Sequence, residues 1–282
     1  MEIVRLEHVS CIYGAKTPFE IRALDDVTVG FEKGKVTGVI GHTGSGKSTL
    51  VQLLNGLLRP TEGKVLLDGK DIWEKPKEIG AVRHRVGLVM QYPEYQLFDE
   101  TVRADIGYAP RNMGLSAKEI EERVREAAAF VGLEDALLQK SPLELSGGQK
   151  RRAALAGIIA MRPEILVLDE PAAGLDPRGK KEIFDGLLEY RDAYGATVIL
   201  VSHSMEDMAK YAENIVVLRD SHLLTKGSVA DIFSEPELLY EAGLSMPAVY
   251  HLAERLRALG MPLSGELYTT EGLKQAILDA IK

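Results

Sequence analysis

The sequence predicts an α/β fold: a buried parallel sheet with helices against it, followed by a small helical appendage. Three observations carry this. The apolar run Lys35–Ile40 leads through a glycine-rich loop, Gly41-His42-Thr43-Gly44-Ser45-Gly46-Lys47-Ser48, into a helix-like run, Ser48–Leu58. Three further short runs, Val86–Met90, Ile165–Leu168 and Thr197–Val201, are apolar and rich in β-branched residues. They lack polar alternation, as strands covered on both faces do. After Gly227 the pattern becomes helical to the end of the chain.

The remaining elements follow in order. Ile3–Val9 and Ala23–Phe31 read as strands around a Gly/Pro-containing loop. Val65–Leu67 and Lys70–Ile72 flank Asp68-Gly69, a hairpin signal. From Pro93 to about Met161 the pattern is helical, with Ser116-Ala117-Lys118-Glu119 as a capping box before a long helix. Ile215–Leu218 and His222–Thr225 form a second hairpin around Asp220-Ser221. In the appendage, residues 226–282, Val249, Leu252, Leu256 and Leu259 share one helix face. Leu273, Ala276, Ile277, Ala280 and Ile281 share another, with Met261-Pro262 to Gly265 between the two helices.

Composition narrows the function. The 282 residues allow one large α/β domain plus an appendage, and 45% hydrophobic residues supply its core. A net charge of −8 opposes nucleic-acid binding. The single cysteine, Cys11, cannot form an intramolecular disulfide and reads as a buried structural thiol. Met1 is followed by a strand-like, mixed-charge segment, so no signal peptide is expected, and no apolar run approaches the ~18 residues of a membrane span. A cytosolic protein is expected, reaching any membrane process through a partner.

The loop Gly41–Ser48 has the GxxxxGK(S/T) spacing of a phosphate loop, in the strand–loop–helix setting that motif requires. Its glycines let backbone N–H groups turn toward phosphate oxygens, and the following helix points its positive end the same way. Lys47 can reach the β- and γ-phosphates, and Ser48 can offer its hydroxyl to Mg²⁺. Asp169 and Glu170 end an apolar strand, where a parallel sheet faces its ligand crevice. Asp169 is expected to hold Mg²⁺, and Glu170 to position or deprotonate a water in line with the γ-phosphate. Ser146, Gly147, Gly148 and Gln149 precede a helical run, Lys150–Ala160, and read as a second anion site. One phosphate tail does not easily need two such sites from one small domain. If the second belongs to another protomer, the nucleotide is shared between two chains.

These residues together resemble the ATP-binding subunits of ABC transporters, over roughly residues 1–225 and in the family's motif order. The resemblance implies a P-loop, RecA-like core with an antiparallel β subdomain and a helical subdomain at about 93–161. Gly41–Ser48 is similar to Walker A, so Gly41, His42, Thr43, Gly44, Ser45, Gly46, Lys47, Ser48 and Thr49 are the expected ATP contacts. Ile165–Glu170 is similar to Walker B, with Glu170 catalytic. Leu145–Gln149 matches the LSGGQ signature. Gln91 stands where the Q-loop glutamine does, implying a catalytic and Mg²⁺-facing role, Ala173–Asp176 looks like the D-loop, and His203 looks like the switch histidine. Tyr13 stands at the adenine-stacking position. Alone, Tyr13 fits hairpin packing equally well, and His203 reads as a strand-end histidine. Ala172 departs from the family pattern, where Thr or Ser is common, and loses a local hydroxyl contact. The Lys150-Arg151-Arg152 run reads as a solvated helix face.

Finer runs, Gly14–Glu20, GHTGSGKST and Gln91–Phe98, resemble the ATPases of energy-coupling factor transporters, in particular the second of the two ATPase types. That resemblance implies ATP and Mg²⁺ as cofactors and a sister ATPase chain as partner, in a heterodimer rather than a homodimer. It also implies a membrane scaffold (T) subunit, a membrane substrate-binding (S) subunit, and a peripheral place on the cytoplasmic face of the cell membrane. Uptake of a vitamin or a transition-metal ion is the expected task, and nucleic acid is not an expected partner. Residues 226–282 are expected to be a dimerisation domain. The rivals are the ATPase of a conventional ABC transporter for another solute, and a soluble ABC ATPase of DNA repair or translation. The latter usually needs two cassettes or a long coiled coil, and the Gln91–Ser146 span is too short for one.

Overall fold

The computed structural model describes residues 1–281. In chain order the strands are β1 (Glu2–Tyr13), β2 (Ile21–Glu32), β3 (Val36–Ile40), β4 (Glu62–Leu67), β5 (Lys70–Asp71), β6 (Val86–Val89), β7 (Ile165–Asp169), β8 (Thr197–Val201), β9 (Asn214–Arg219) and β10 (His222–Ser228). The helices are α1 (Lys47–Leu54), α2 (Ile79–Arg85), α3 (Val102–Ile106), α4 (Tyr108–Asn112), α5 (Ala117–Phe130), α6 (Gly147–Ile159), α7 (Pro177–Tyr194), α8 (Met205–Tyr211), α9 (Val229–Phe233), α10 (Pro236–Glu241), α11 (Ala248–Ala258) and α12 (Thr270–Ile281).

The strands form two sheets. A four-stranded antiparallel sheet has the order β2-β1-β4-β5, and a six-stranded sheet has the order β10-β9-β3-β8-β7-β6. In the second, β9, β3, β8, β7 and β6 run parallel and β10 is an antiparallel edge. Side-chain alternation divides its strands between two cores. Leu166, Leu168, Val198, Leu200, Ile215 and Val217 face the helices, in one cluster with α5, α6 and α7. Ile165, Val167, Ile199, Val201, Val216 and Leu218 face the other way, toward α1 and the antiparallel sheet. With both faces covered, these strands need apolar residues at every position.

Both expected hairpins form. Asp68 and Gly69, and likewise Asp220 and Ser221, all have positive φ, as the tight turns matching strand twist require. The capping box at Ser116 and Glu119 is present, and Cys11 is buried.

Several boundaries differ from expectation. α1 stops at Leu54 instead of reaching Leu58, because Gly56 turns left-handed (φ 69°) against Ile79. α6 starts at Gly147, ahead of Lys150, because Ser146 and Gln149 form a reciprocal capping box. Its basic run is not a solvated face: Arg151 is 5% exposed.

The 225/226 division falls inside β10, and the segment that follows packs in two places. Val229, Ile232, Phe233, Leu239, Ala242 and Met246 join the main core. α11 and α12 close a small core of their own around Ala253, Leu263, Leu267, Leu273 and Ala276. On α11 the inward stripe is Val249, Ala253 and Leu256, whereas Leu252 and Leu259 point to solvent, 50% and 85% exposed. The small side chain of Ala253 lets α12 approach. The N-terminus of α11 is held from α8: Ala248 N–H donates to Glu206 Oε1 at 3.0 Å. Phe233 stacks on Tyr268 at 5.2 Å between ring centres. Among the described residues, no helix is long and apolar enough to cross a membrane.

Candidate functional site

Register brings the site together. Val39 on β3 and Asp169 on β7 both pair with Val201 on β8, and Leu168 pairs with Val89 on β6. The carboxyl ends of four parallel strands are therefore level, and the segments leaving them meet at one edge. Those segments carry Gly41–Gly46, Gln91, Glu170 and His203.

The loop after β3 is wound around its own lysine. Lys47 Nζ donates to the carbonyls of Gly41 at 2.7 Å and His42 at 2.9 Å. Burial pulls the Lys47 pKa down, and the carboxylates of Asp169 and Glu170 oppose that shift. Ser48 Oγ donates to Asp169 Oδ2 at 3.0 Å, joining the start of α1 to the end of β7. Burial raises the pKa of Asp169, and the Ser48 hydrogen bond partly offsets it. Gly46 sits at φ 102°, and a Cβ there would collide with the Ala23 carbonyl and Leu24.

Glu170 takes a left-handed backbone, φ 54°, which no glycine relieves. Its N–H donates to Val201 O at 3.0 Å, and its Oε1 accepts the His203 N–H at 2.7 Å. The His203 ring lies beside it, Nε2 to Oε1 at 4.0 Å. Burial raises the Glu170 pKa, while the bond from His203 lowers it.

Tyr13 ends β1, and its hydroxyl lies 3.3 Å from Thr49 Oγ1, so the ring is beside the start of α1 and 42% exposed. Gln91 is exposed, two residues beyond Val89, the last residue of β6, which pairs with Leu168 of β7. His42 is tied outward: its Nε2 accepts the Asp220 N–H at 3.3 Å. The Asp220 support was invisible in the sequence, since it comes from a turn 178 residues away.

Ser146, Gly147, Gly148 and Gln149 stand apart from this cluster; among the described residues no hydrogen bond joins them to Gly41–Thr49. Ser146 Oγ accepts the Gln149 N–H at 3.3 Å, and Gln149 Oε1 accepts the Ser146 N–H at 3.0 Å. Gly147 faces open space, and Gly148 meets only Leu175 of the Ala173–Asp176 turn. Asp176 in turn caps α7, its Oδ1 accepting the Gly179 N–H at 2.6 Å.

Residues 24–173 match the sequence pattern of the ABC transporter family. An energy-coupling factor transporter ATP-binding protein, EcfA2 of Caldanaerobacter subterraneus subsp. tengcongensis, is 50% identical over 275 residues, covering 98% of this chain and 96% of the relative. The chain belongs to the energy-coupling factor branch of the ABC transporter family. As a member of that family it is an ATP-binding ATPase subunit of a transporter. Solved ABC cassettes have the same fold. The structure of cbiO1 from Clostridium perfringens, part of the ABC transporter complex cbiONQ, superposes with a TM-score of 0.75 at 36% identity, over 90% of this chain and 99% of that one. A dimeric ATP-binding cassette in a post-hydrolysis state, bound to ADP and Pi, gives a TM-score of 0.73 at 28% identity, over 80% of this chain and 98% of that one.

Proposed function

We propose that this chain hydrolyses ATP in a head-to-tail pair with a sister ATPase chain, and that the pair drives an importer for a vitamin or a transition-metal ion. One observation carries the pairing. The chain gathers Lys47, Ser48, Asp169, Glu170 and His203 at one sheet edge, yet turns a second anion-ready helix start, at Ser146, outward to solvent. A second protomer brings its own Ser146–Gln149 to the γ-phosphate, with Gly41–Thr49 and Tyr13 holding the nucleotide from this side. The dimeric form of the ADP-bound cassette supports this reading.

The donor set suits Mg²⁺. Ser48 Oγ and Asp169 Oδ2 are hard oxygens already converging at 3.0 Å, with Gln91 at the neighbouring strand end. Bound with ATP, the ion would supply charge neutralisation for the phosphates. Lys47 exchanges the two loop carbonyls for phosphate oxygens. Glu170 is held through Oε1 by the His203 N–H, so its other oxygen is the one that takes a proton from the attacking water. Burial makes that carboxylate more basic, which helps the transfer. His203 steadies Glu170 and faces the γ-phosphate.

The membrane partners bind elsewhere. Leu97, Phe98 and Tyr108 form a groove with Ala153, Gly157 and Ile158 of α6, and Phe98 packs edge-on against Tyr108 at 4.9 Å. It begins six residues after Gln91 and suits a helix of a membrane scaffold (T) subunit, which in turn carries the substrate-binding (S) subunit. On this reading the chain works peripherally at the cytoplasmic face of the membrane. In the appendage, Leu252, Leu259, Leu278 and Ile281 are exposed and fit the equivalent surface of the sister chain.

Glu170→Gln tests the chemistry. Turnover is expected to fall by on the order of 10²–10⁴ while ATP still binds. In a mixed dimer, Ser146→Ala on one chain should silence the site whose phosphate loop lies on the other. Normal turnover by Glu170→Gln, or loss in cis alone, would overturn the reading.

A further inference from the structure

A largely buried ion pair connects the segment after Gln91 to the helix that starts at Ser146. Arg151 lies one turn into α6. Its Nε and Nη2 both donate to Glu94, at 3.2 Å to Oε2 and 3.1 Å to Oε1. The side chains are 6% and 19% exposed. Glu94 belongs to the short turn Pro93–Gln96, three residues after Gln91 and ahead of the groove residues Leu97 and Phe98. Among the described residues, Glu94 is the only carboxylate that the Arg151 guanidinium pairs with. A two-pronged bond between a planar guanidinium and a carboxylate fixes orientation as well as distance. With the arginine buried and the glutamate largely covered, salt screens it much less than a surface pair.

We propose that Glu94 and Arg151 are a positioning pair that makes the Gln91–Phe98 segment and α6 move as one body. Through this pair, a shift at Gln91 or in the groove reorients the start of α6, and with it Ser146. Among the described residues, neither makes a hydrogen bond or ion pair with Gly41–Thr49, Asp169, Glu170 or His203. Their effect falls on how well Ser146 is presented to the ATP of the partner. This inference rests on the shared-nucleotide reading above.

The test measures turnover, ATP affinity and melting temperature on the full chain, assembled with its ATPase partner. The apolar pair Glu94→Leu/Arg151→Met removes both charges while keeping the volume, so it is expected to melt like the parent. Its kcat should nevertheless fall at least fivefold, with ATP affinity unchanged within twofold. Arg151→Lys keeps the charge but loses the fork, and should show the same kcat loss in milder form. Parental kcat in both variants would overturn the proposal, as would a kcat loss fully explained by a lower melting temperature. Ser146→Ala serves as the control. If it too turns over normally, the shared-nucleotide reading fails and this inference with it. If Ser146→Ala is slow and the apolar pair is not, only the positioning pair is refuted.

Discussion

Two helices in this chain begin at glycine-rich turns that offer free N–H groups, and they are finished in opposite ways. α1 begins inside the protein. Its first residue, Lys47, is buried, its cap residue Gly46 has no side chain to cap with, and Lys47 grips the carbonyls of the preceding turn. α6 begins at the surface, where Ser146 and Gln149 cap each other and Gly147 has no neighbour within reach. A buried helix start is shaped by its surroundings within one chain, and its free N–H groups suit an anion. An exposed start that caps itself is stable in water and can wait for a ligand delivered from outside. The glycines look alike in sequence, but one start is enclosed by the protein and the other faces solvent.

The sharpest way to break this contrast is to add the same methyl group to both turns. Gly46→Ala should destabilise the chain by about 2–5 kcal/mol, combining a left-handed backbone with a collision against the Ala23 carbonyl. Gly147→Ala, in helical backbone facing open space, should stabilise it by about 0.5–1 kcal/mol. Urea melts of the two variants decide this, and shifts of the same sign would erase the distinction.

The next effect concerns the ligand. Lys47→Ala should weaken ATP binding to a single chain by roughly 10–100-fold, the worth of a charge-assisted bond to phosphate. Ser146→Ala should leave that affinity within about twofold, since a single chain does not use it. Calorimetric titration of monomeric protein separates the two.

The smallest effect is on stability against pH. Burial raises the Glu170 pKa above its unfolded value. Between those two values the folded chain binds more protons than the unfolded one, so stability falls as pH rises through that window. Above it the ionised carboxylate is a constant burden. Glu170→Gln can still accept the His203 N–H but does not ionise, so it should melt higher than the parent at pH 7. The gain should shrink as the pH is lowered through the acid range. A pH-independent difference would place the effect elsewhere.

Much of this could be read from the chain because local chemistry and global fold agree. Ile165–Leu168 and Thr197–Val201 are apolar at every position because both faces of the sheet are covered, and Asp68-Gly69 turns where its residues tolerate positive φ. Where the reading fell short, the missing information was spatial. The helical pattern of α6 is plain only from Lys150, whereas the helix itself starts at Gly147, at a cap that the Ser146–Gln149 spacing spells. Helical periodicity picked out Leu252 and Leu259 along with Val249 and Leu256. Which edge of the stripe turns inward depended on small Ala253 and the approach of α12. Arg151 looked like part of a solvated basic run because its partner, Glu94, lies 57 residues earlier. Likewise, no pattern along the chain links His42 to Asp220.

The bond from Ala248 N–H to Glu206 has a practical consequence. α8 begins just after His203, capped by Ser204, so α11 and α12 are fastened to the element that follows His203. The pair is packed and tied, not a loose tail. A pair of fluorophores, one on the solvent face of α11 and one on β10, would register small rotations of α8 at a distance from the phosphate loop. If α8 turns during the ATP cycle, such labels would report it from a distance, without a label near the phosphate loop.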